Sequence, residues 1–303
     1  MINYNTREMT EEAIASVFSK TEGLDYEIIL VDNASTDGSK AFFESKEGIK
    51  YVYSDRNLGF GQGNNLGLQY ATGRNVFFLN SDTLLKNNAV KILSDYLDSH
   101  QDVGVCGGNL YDYNNKPTIS YEMKRPGILR EINVLTGGRL FSKLYHGNYR
   151  FNNTQKTLKV GYISGADLMV RKSVLDQCGA FSPAFFMYYE ETEMTYRIHK
   201  AGYKIVSVPQ AEIIHLQGMS IKGKSESNQI NETKITWMYN SFWRYNYLCN
   251  SWFENLLVCV IHLFGFRKSI IASHLRHDAV SLKNEKIKRK IFIESYNSRA
   301  ICQ

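Results

Sequence analysis

Tyr26-Glu27-Ile28-Ile29-Leu30-Val31 runs unbroken into Asp32-Asn33-Ala34-Ser35-Thr36-Asp37-Gly38-Ser39. An apolar run stopped by an acid and a cluster of turn formers reads as a buried parallel strand with a polar carboxyl end. The same pattern returns at Asn75–Leu79, which ends in Asn80-Ser81-Asp82. Amphipathic stretches lie between. In 9–20, Ala13, Ile14, Val17 and Phe18 share a face; in 88–98, Ala89, Ile92, Leu93, Tyr96 and Leu97 follow the helical period. Short helices are expected at 40–45 and 64–71, and strands at 1–4, 49–53 and 103–107. This alternation predicts an α/β, Rossmann-like domain, a mostly parallel sheet flanked by helices. Ligands of such sheets bind beyond the carboxyl ends of strands, where Asp32-Asn33 and Asn80-Ser81-Asp82 fall.

The 303 residues allow one large domain, or one domain with an appendage. Hydrophobic residues at 43% and charged residues at 22% exclude a disordered chain. Residues 267–290 hold eight Lys or Arg against two acids, so this segment carries the whole net charge of +6. A basic tail on a neutral domain argues against a general nucleic-acid binder. The five cysteines are widely spaced without a C-x-x-C pair and read as buried thiols in a reducing compartment. The start, MINYNTREMTEE, lacks the apolar core of a signal peptide. Met1 to Tyr4 reads as the second half of a strand, so a truncated start is expected. The longest apolar stretch, Leu256 to Phe266, is eleven residues and too short to span a bilayer.

Residues 112–160, with Pro117, Pro126 and Gly137-Gly138, read as a long acceptor-side excursion over the sheet. A helix is expected at 192–202, then a strand at 203–208 stopped by Pro209. Residues 232–265 read as aromatic-rich helices holding all three tryptophans, and 267–290 as a basic helix. The expected division is a catalytic domain at 1–230 and a C-terminal extension at 231–303. Aromatic, apolar and basic stretches in succession suit an interfacial segment on an anionic leaflet. They suit equally a helical subdomain with a solvated basic tail.

Each polar cluster has two readings. Asp32 at a strand end can accept from a base or ribose, or simply close a turn. The glycines of Asn57-Leu58-Gly59-Phe60-Gly61-Gln62-Gly63-Asn64-Asn65 let backbone approach a phosphate or sugar. Their G-x-G-x-G spacing is not the dinucleotide G-x-G-x-x-G, which disfavours an oxidoreductase. Asp82 offers a hard oxygen to Mg²⁺ or Mn²⁺, or caps the next helix. Glu190, Glu191 and Glu193 either complement a helix dipole or raise one another's pKa to supply a general base. His215 gains interest as a metal ligand only beside Asp82.

The ordered set NYNT (3–6), VDNASTDGS (31–39), NLGFGQGNN (57–65), FFLNSD (77–82), GYISGADLMVRKSV (161–174), FFMYYEETEMTYRIHKAGY (185–203) and the strand into His215 resembles the family 2 glycosyltransferases of the GT-A fold, particularly the rhamnosyltransferase-like branch. The resemblance covers about residues 1–250. It implies a GT-A catalytic domain that uses a nucleotide-sugar, dTDP-rhamnose or a UDP-hexose, and a divalent cation, Mg²⁺ or Mn²⁺. On that analogy Tyr4 and Asp32 contact the nucleotide. Asn33, Ser35, Asn57, Gly59, Asn64, Asn65, Asn80, Ser81, Gly165 and Ala166 belong to the same donor site. Asp82, in Asn-Ser-Asp where the family has D-x-D, and His215 bind the metal. Glu191 is the base, with Glu190 as rival and Glu193 in support; the family usually has Asp where Glu191 stands. A single displacement inverts the sugar. The acceptor is a glycan or lipid-linked molecule in bacterial surface polysaccharide synthesis, and the location is cytoplasmic, peripheral on the inner membrane. Phe242-Trp243-Arg244 is not the Q-x-x-R-W of processive synthases, so single-sugar transfer is expected. A catalytically silent nucleotide-sugar or glycan-binding relative is the alternative, kept open by the short first strand.

Overall fold

A computed structural model describes residues 1–136, 150–216 and 230–298; Gly137-Gly138 and Cys302 lie outside them. In chain order the first elements are β1 (Ile2–Asn3), α1 (Arg7–Lys20), β2 (Ile28–Asn33), α2 (Ser39–Phe43), β3 (Ile49–Ser54), α3 (Gly59–Leu68), β4 (Asn75–Leu79), β5 (Thr83–Leu85), α4 (Ala89–Ser99) and β6 (Val103–Tyr111). There follow β7 (Tyr121–Glu122), α5 (Ile128–Leu135), β8 (Leu158–Lys159), β9 (Tyr162–Ile163), β10 (Asp167–Arg171), α6 (Lys172–Cys178), α7 (Glu190–Lys200) and β11 (Lys204–His215). Three long helices close the chain: α8 (Glu232–Cys249), α9 (Trp252–Leu275) and α10 (Ala279–Ser298).

The described residues fall into two compact units. The first holds 1–124, 150–183 and 190–216. In it β1, β2 and β3 pair in parallel, as the alternation predicts. A second sheet runs β4-β10-β6-β11-β5, with β8 on β11, and is mixed: only β6 and β11 are parallel. Leu30 of β2, Leu93 and Leu97 of α4, Leu110 of β6 and Ile213 of β11 are fully buried in one apolar cluster. That common core fixes the strand ends that carry the polar clusters.

Two local departures from the expected elements have physical causes. Helix α3 begins five residues earlier than expected, at Gly59, which takes φ +77°. Glycines discourage helix in isolation, but here they permit close approach. A Cβ on Gly67 would meet Val31 Cγ2 at 3.0 Å, and one on Gly61 would meet Phe181 Cβ at 3.0 Å. Strand β11 runs through Pro209 because its register against β6 shifts between Ser207 and Glu212. A proline has no ladder donor to lose at such an irregularity.

β1 is short, pairing only Ile2 with Val31 and Asn3 with Asp32. Beside it lies a cavity of about 180 Å³ lined by Met1, Ile29, Val31, Gly67, Val76 and Phe77 among others. The Met1 amine donates to the Ile29 carbonyl at 2.8 Å. Burial pushes that amine down to about 5.

The second unit comprises the described residues 125–136, 184–189 and 230–298. The sequence places the first two segments with the catalytic domain; they pack instead with the long helices. The reason is aromatic and apolar burial. Ile128 and Tyr189 join a cluster of Phe242, Trp243, Val258, Phe266 and Phe292. The Trp243 indole donates to the Phe292 carbonyl at 3.1 Å, and Ser241 donates to the Met187 carbonyl at 2.7 Å. Helix α9 corrects the eleven-residue limit: helix continues through Gly265 for 24 residues, long and apolar enough to cross a membrane by length and composition. Ser251 and Glu254 form a capping box at its start. Arg267 and Lys268 end up in α9, and the rest of the basic segment lies around and within α10.

Candidate active site

The site grows from the carboxyl ends of β1, β2 and β4. Asn3 ends β1 fully buried and accepts from the Thr6 and Thr10 hydroxyls at 2.9 and 3.0 Å. It also donates to Ser35 Oγ at 3.1 Å. Asn5 and Ala34 take positive φ, 56° and 66°, and the Thr36 amide donates to Asn5 Oδ1 at 2.7 Å. The loops after β1 and β2 are thus laced together. Tyr4 stands on the outer side of this lace, 48% exposed.

Asp32 is fully buried. Its Oδ1 accepts from the Ser35 amide at 2.9 Å and its Oδ2 from the Tyr51 hydroxyl at 2.8 Å. Burial and this carboxylate together push the Tyr51 phenol up. Asp32 therefore braces the Ser35 loop in this structure and offers no accessible oxygen to a ribose. Tyr51 was not singled out from sequence; its place three residues before the polar end of β3 gave no signal.

The glycine segment also has a packing reason. Asn33 Nδ2 donates to Asn57 Oδ1 and to the Gly59 carbonyl, both at 3.0 Å, and its Oδ1 accepts from the Leu58 amide at 2.9 Å. Asn65 clamps Phe181 through both its backbone groups, at 2.7 and 3.1 Å. Asn64 donates to the Phe60 carbonyl within its own helix. Asn33, Asn57 and Asn65 are thus engaged in holding α3 against β2 and the loop after α6, and Asn64 is engaged within α3 itself.

The third cluster is where chemistry converges. Antiparallel pairing of β5 with β11 sets His215 opposite Thr83. This brings His215 Nε2 to 3.3 Å from Asp82 Oδ1, with both side chains recessed. His215 Nδ1 is buried and meets no hydrogen-bond partner among the described residues. The Ser81 hydroxyl lies 3.3 Å from that of Thr6. The Asn80 amide donates to the Ala166 carbonyl at 3.1 Å, which ties this loop to the Gly165-Ala166 turn. Asp167, next in the chain, is fully buried and accepts from the Gly108 amide at 2.7 Å. Burial raises its carboxyl well above the usual range, and its bond to the Gly108 amide braces the turn.

The acidic start of α7 meets that turn. A Cβ on Gly165 would lie 3.7 Å from Glu191 Cγ, an ordinary contact. Glu191 is partly buried, and burial raises its pKa. Glu190 is buried against α3, its Cβ 3.5 Å from where a Gly61 Cβ would be. Glu193 is consumed by Arg197, whose Nε and Nη2 donate to its two oxygens at 2.7 and 2.9 Å. Arg197 also donates to the Gly179 carbonyl at 2.9 Å. Tyr188 and Tyr189, just ahead of α7, take φ of 72° and 68°. Two successive bulky residues in the left-handed region store strain of about 1–2 kcal/mol each where the acidic turn begins.

An acid and an imidazole within hydrogen-bonding reach, the latter with a spare buried nitrogen, are a donor pair suited to Mn²⁺ or Mg²⁺ completed by phosphate and water oxygens. Among the described residues no third His, Cys, Asp or Glu joins them.

The profile of glycosyl transferase family 2 matches residues 1–179. An N-acetylglucosaminyl-diphospho-decaprenol L-rhamnosyltransferase of Mycobacterium tuberculosis is 25% identical, covering 80% of this chain and 85% of that protein. The low-salt glycan biosynthesis hexosyltransferase Agl10 of Haloferax volcanii is 26% identical over 72% of this chain and 66% of its own length. Among solved structures, the mannosyltransferase PcManGT of Pyrobaculum calidifontis, in complex with GDP-Man and Mn²⁺, aligns with a TM-score of 0.57 at 13% identity, over 99% of this chain and 85% of that one. GalNAc-T7 with UDP, GalNAc and Mn²⁺ aligns at 0.56 and 15% identity, over 81% of this chain and 46% of that one. The fold is the GT-A α/β fold with a C-terminal helical region, and the chain belongs to glycosyl transferase family 2.

Proposed function

We propose that the protein is an inverting glycosyltransferase that moves one sugar from a nucleotide-sugar, dTDP-rhamnose or a UDP-hexose, to a glycan or lipid-linked acceptor of a bacterial surface polysaccharide. The observation that carries this reading is the convergence of the Asp82–His215 pair, the Gly165-Ala166 turn and Glu191. Glu191 takes the proton of an acceptor hydroxyl; burial has already raised its pKa toward that task. The acceptor oxygen attacks the anomeric carbon as the bond to the leaving phosphate oxygen breaks, and one displacement inverts the configuration. Asp82 and His215 would hold a divalent cation, which when bound neutralises charge on the diphosphate. Ser81 and the Asn80 backbone line the same loop. Of the first cluster, exposed Tyr4 would meet the base, and Asp32 and Asn33 would act by holding that loop. Glu191 is preferred to Glu190 because Glu190 is packed against α3. The location proposed is the cytoplasmic face of the inner membrane, with contact through the C-terminal helices.

Donor hydrolysis tests the reading. A panel of dTDP-, UDP- and GDP-sugars is incubated with Mn²⁺ or Mg²⁺ and a hydroxyl acceptor, with Asp82→Ala and Glu191→Gln alongside. Metal-dependent nucleotide release that Asp82→Ala abolishes is expected. Glu191→Gln is expected to lose about 10²–10⁴-fold in turnover with donor binding retained. Donor binding without turnover of any donor by the wild type, with acceptor supplied, would instead favour the silent relative.

A further inference from the structure

Outside the catalytic unit, α9 has two adjoining faces of opposite character. One is a mainly apolar stripe at the helical period: Phe253, Leu256, Val260, Phe264, Ile271 and Leu275 are all exposed, from 43% to 72%, with exposed Arg267 set among them. The flank beside it borders an open cavity of about 600 Å³ between α5, α8, α9 and α10. Its floor includes Ile261 and Phe266, and its polar wall carries Lys268, Ser269, Ser273 and Arg276.

The charges of this wall do not cancel. Glu131 is 3% exposed and bonded to His262 at 2.7 Å and Arg130 at 3.1 Å. Lys288 pairs with Glu285 at 2.7 Å. Lys268 and Arg276 form no ion pair, and the Ser269 and Ser273 hydroxyls no hydrogen bond, with any described residue; Arg276 acts on the Asp278 carboxylate only through its field, without bonding to it. Two unpaired cations and two free hydroxyls around one cavity are a complement for an anionic group with several acceptor oxygens, a phosphate. Lys268 stands on the border between the cavity and the apolar stripe. A phosphate seated there has hydrocarbon-compatible surface directly beside it.

We infer that the α9 cavity is a binding site for the phosphate headgroup of an anionic membrane lipid, with the apolar stripe of α9 lying in the same leaflet. The helix lies on the membrane rather than across it. Away from the stripe, α9 packs on α5, α8 and α10 and carries the buried Asn255, Val258 and Phe266, so a single stripe faces lipid. This deepens the membrane contact proposed above into one site. It is independent of the catalytic assignment, since vesicle binding is read without donor turnover.

Flotation of the full chain with phosphatidylcholine vesicles, with and without about a quarter phosphatidylglycerol, is the test. Lys268→Gln/Arg276→Gln is compared with Lys283→Gln/Lys286→Gln, which removes two exposed cations of α10 outside the cavity. Preference for the anionic vesicles is expected, with a loss of about tenfold or more in the cavity pair and a clearly smaller loss in the control pair. Val260→Ser/Phe264→Ser is expected to weaken binding while leaving the cavity cations in place. Equal losses in the two charge pairs would mean diffuse attraction and overturn the site. So would equal binding to neutral vesicles, or undiminished binding of the stripe variant. Inorganic phosphate is the last arm: displacement from anionic vesicles by millimolar phosphate would assign the cavity to the free ion instead of the lipid.

Discussion

Three carboxylates share the first turn of α7, and their surroundings separate them. Glu193 forms a two-bond ion pair with Arg197, which in turn holds the carbonyls after α6. Breaking it leaves a partly buried guanidinium unpaired, so Glu193→Gln should lower stability by about 3 kcal/mol, read as a fall in the unfolding midpoint. Glu191→Gln should leave that midpoint in place; a fall matching that of Glu193→Gln would make Glu191 a structural residue. In a chain that starts at this Met1, its amine gives a pH signature of its own. Its pKa is about 5 folded against 8.0 in the open chain. The unfolded chain therefore holds an extra proton between these values. Stability is full above pH 8, falls as pH drops toward 5, and is level below that, the loss reaching up to about 4 kcal/mol. Urea midpoints across that window, with an N-acetylated chain that lacks the titration, check it.

The elements show what sequence periodicity can and cannot carry. Helix α4, expected at 88–98, is Ala89–Ser99, because its apolar period is strong and nothing opposes it. The early start of α3 and the length of β11 were hidden, since both depend on what lies opposite: Val31 and Phe181 for the glycines, a register shift for Pro209. The same applies to the site. Asp82 and His215 stand far apart in the chain, and only the pairing of β5 with β11 makes them neighbours; the ordered motifs pointed to both, but no local spacing did. That Asp32 is closed off follows from Tyr51 on the adjacent strand, which no pattern in the β2 segment announces. Close packing of elements is itself testable. A Cβ on Gly108 would run into the Ala211 carbonyl oxygen, whereas one on Gly127 would meet nothing within 4 Å. Gly108→Ala should cost about 2 kcal/mol or more in denaturant unfolding and Gly127→Ala no more than about 0.5 kcal/mol.

At the scale of the whole molecule each unit has its own apolar core, and all three tryptophans, Trp237, Trp243 and Trp252, belong to the helical one. Tryptophan emission therefore reports that unit. Within it, burial pushes Glu131 up, but its contacts with His262 and Arg130 outweigh that and hold the carboxyl below its usual range. Glu131→Ala removes the partner of both, and the emission-detected melting midpoint should drop by the equivalent of about 3 kcal/mol; an unchanged midpoint would show that water replaces the carboxylate at no loss. The way β1 begins also governs how the protein can be handled at the bench. Because the Met1 amine donates to the Ile29 carbonyl beside a cavity lined by Asp25, Glu27, Asn64, Arg74 and Asn75 as well as by apolar side chains, residues joined ahead of Met1 would start out beside that cavity. A linker there bears directly on the two-residue pairing of β1 with β2, so its first residues decide whether that strand is kept.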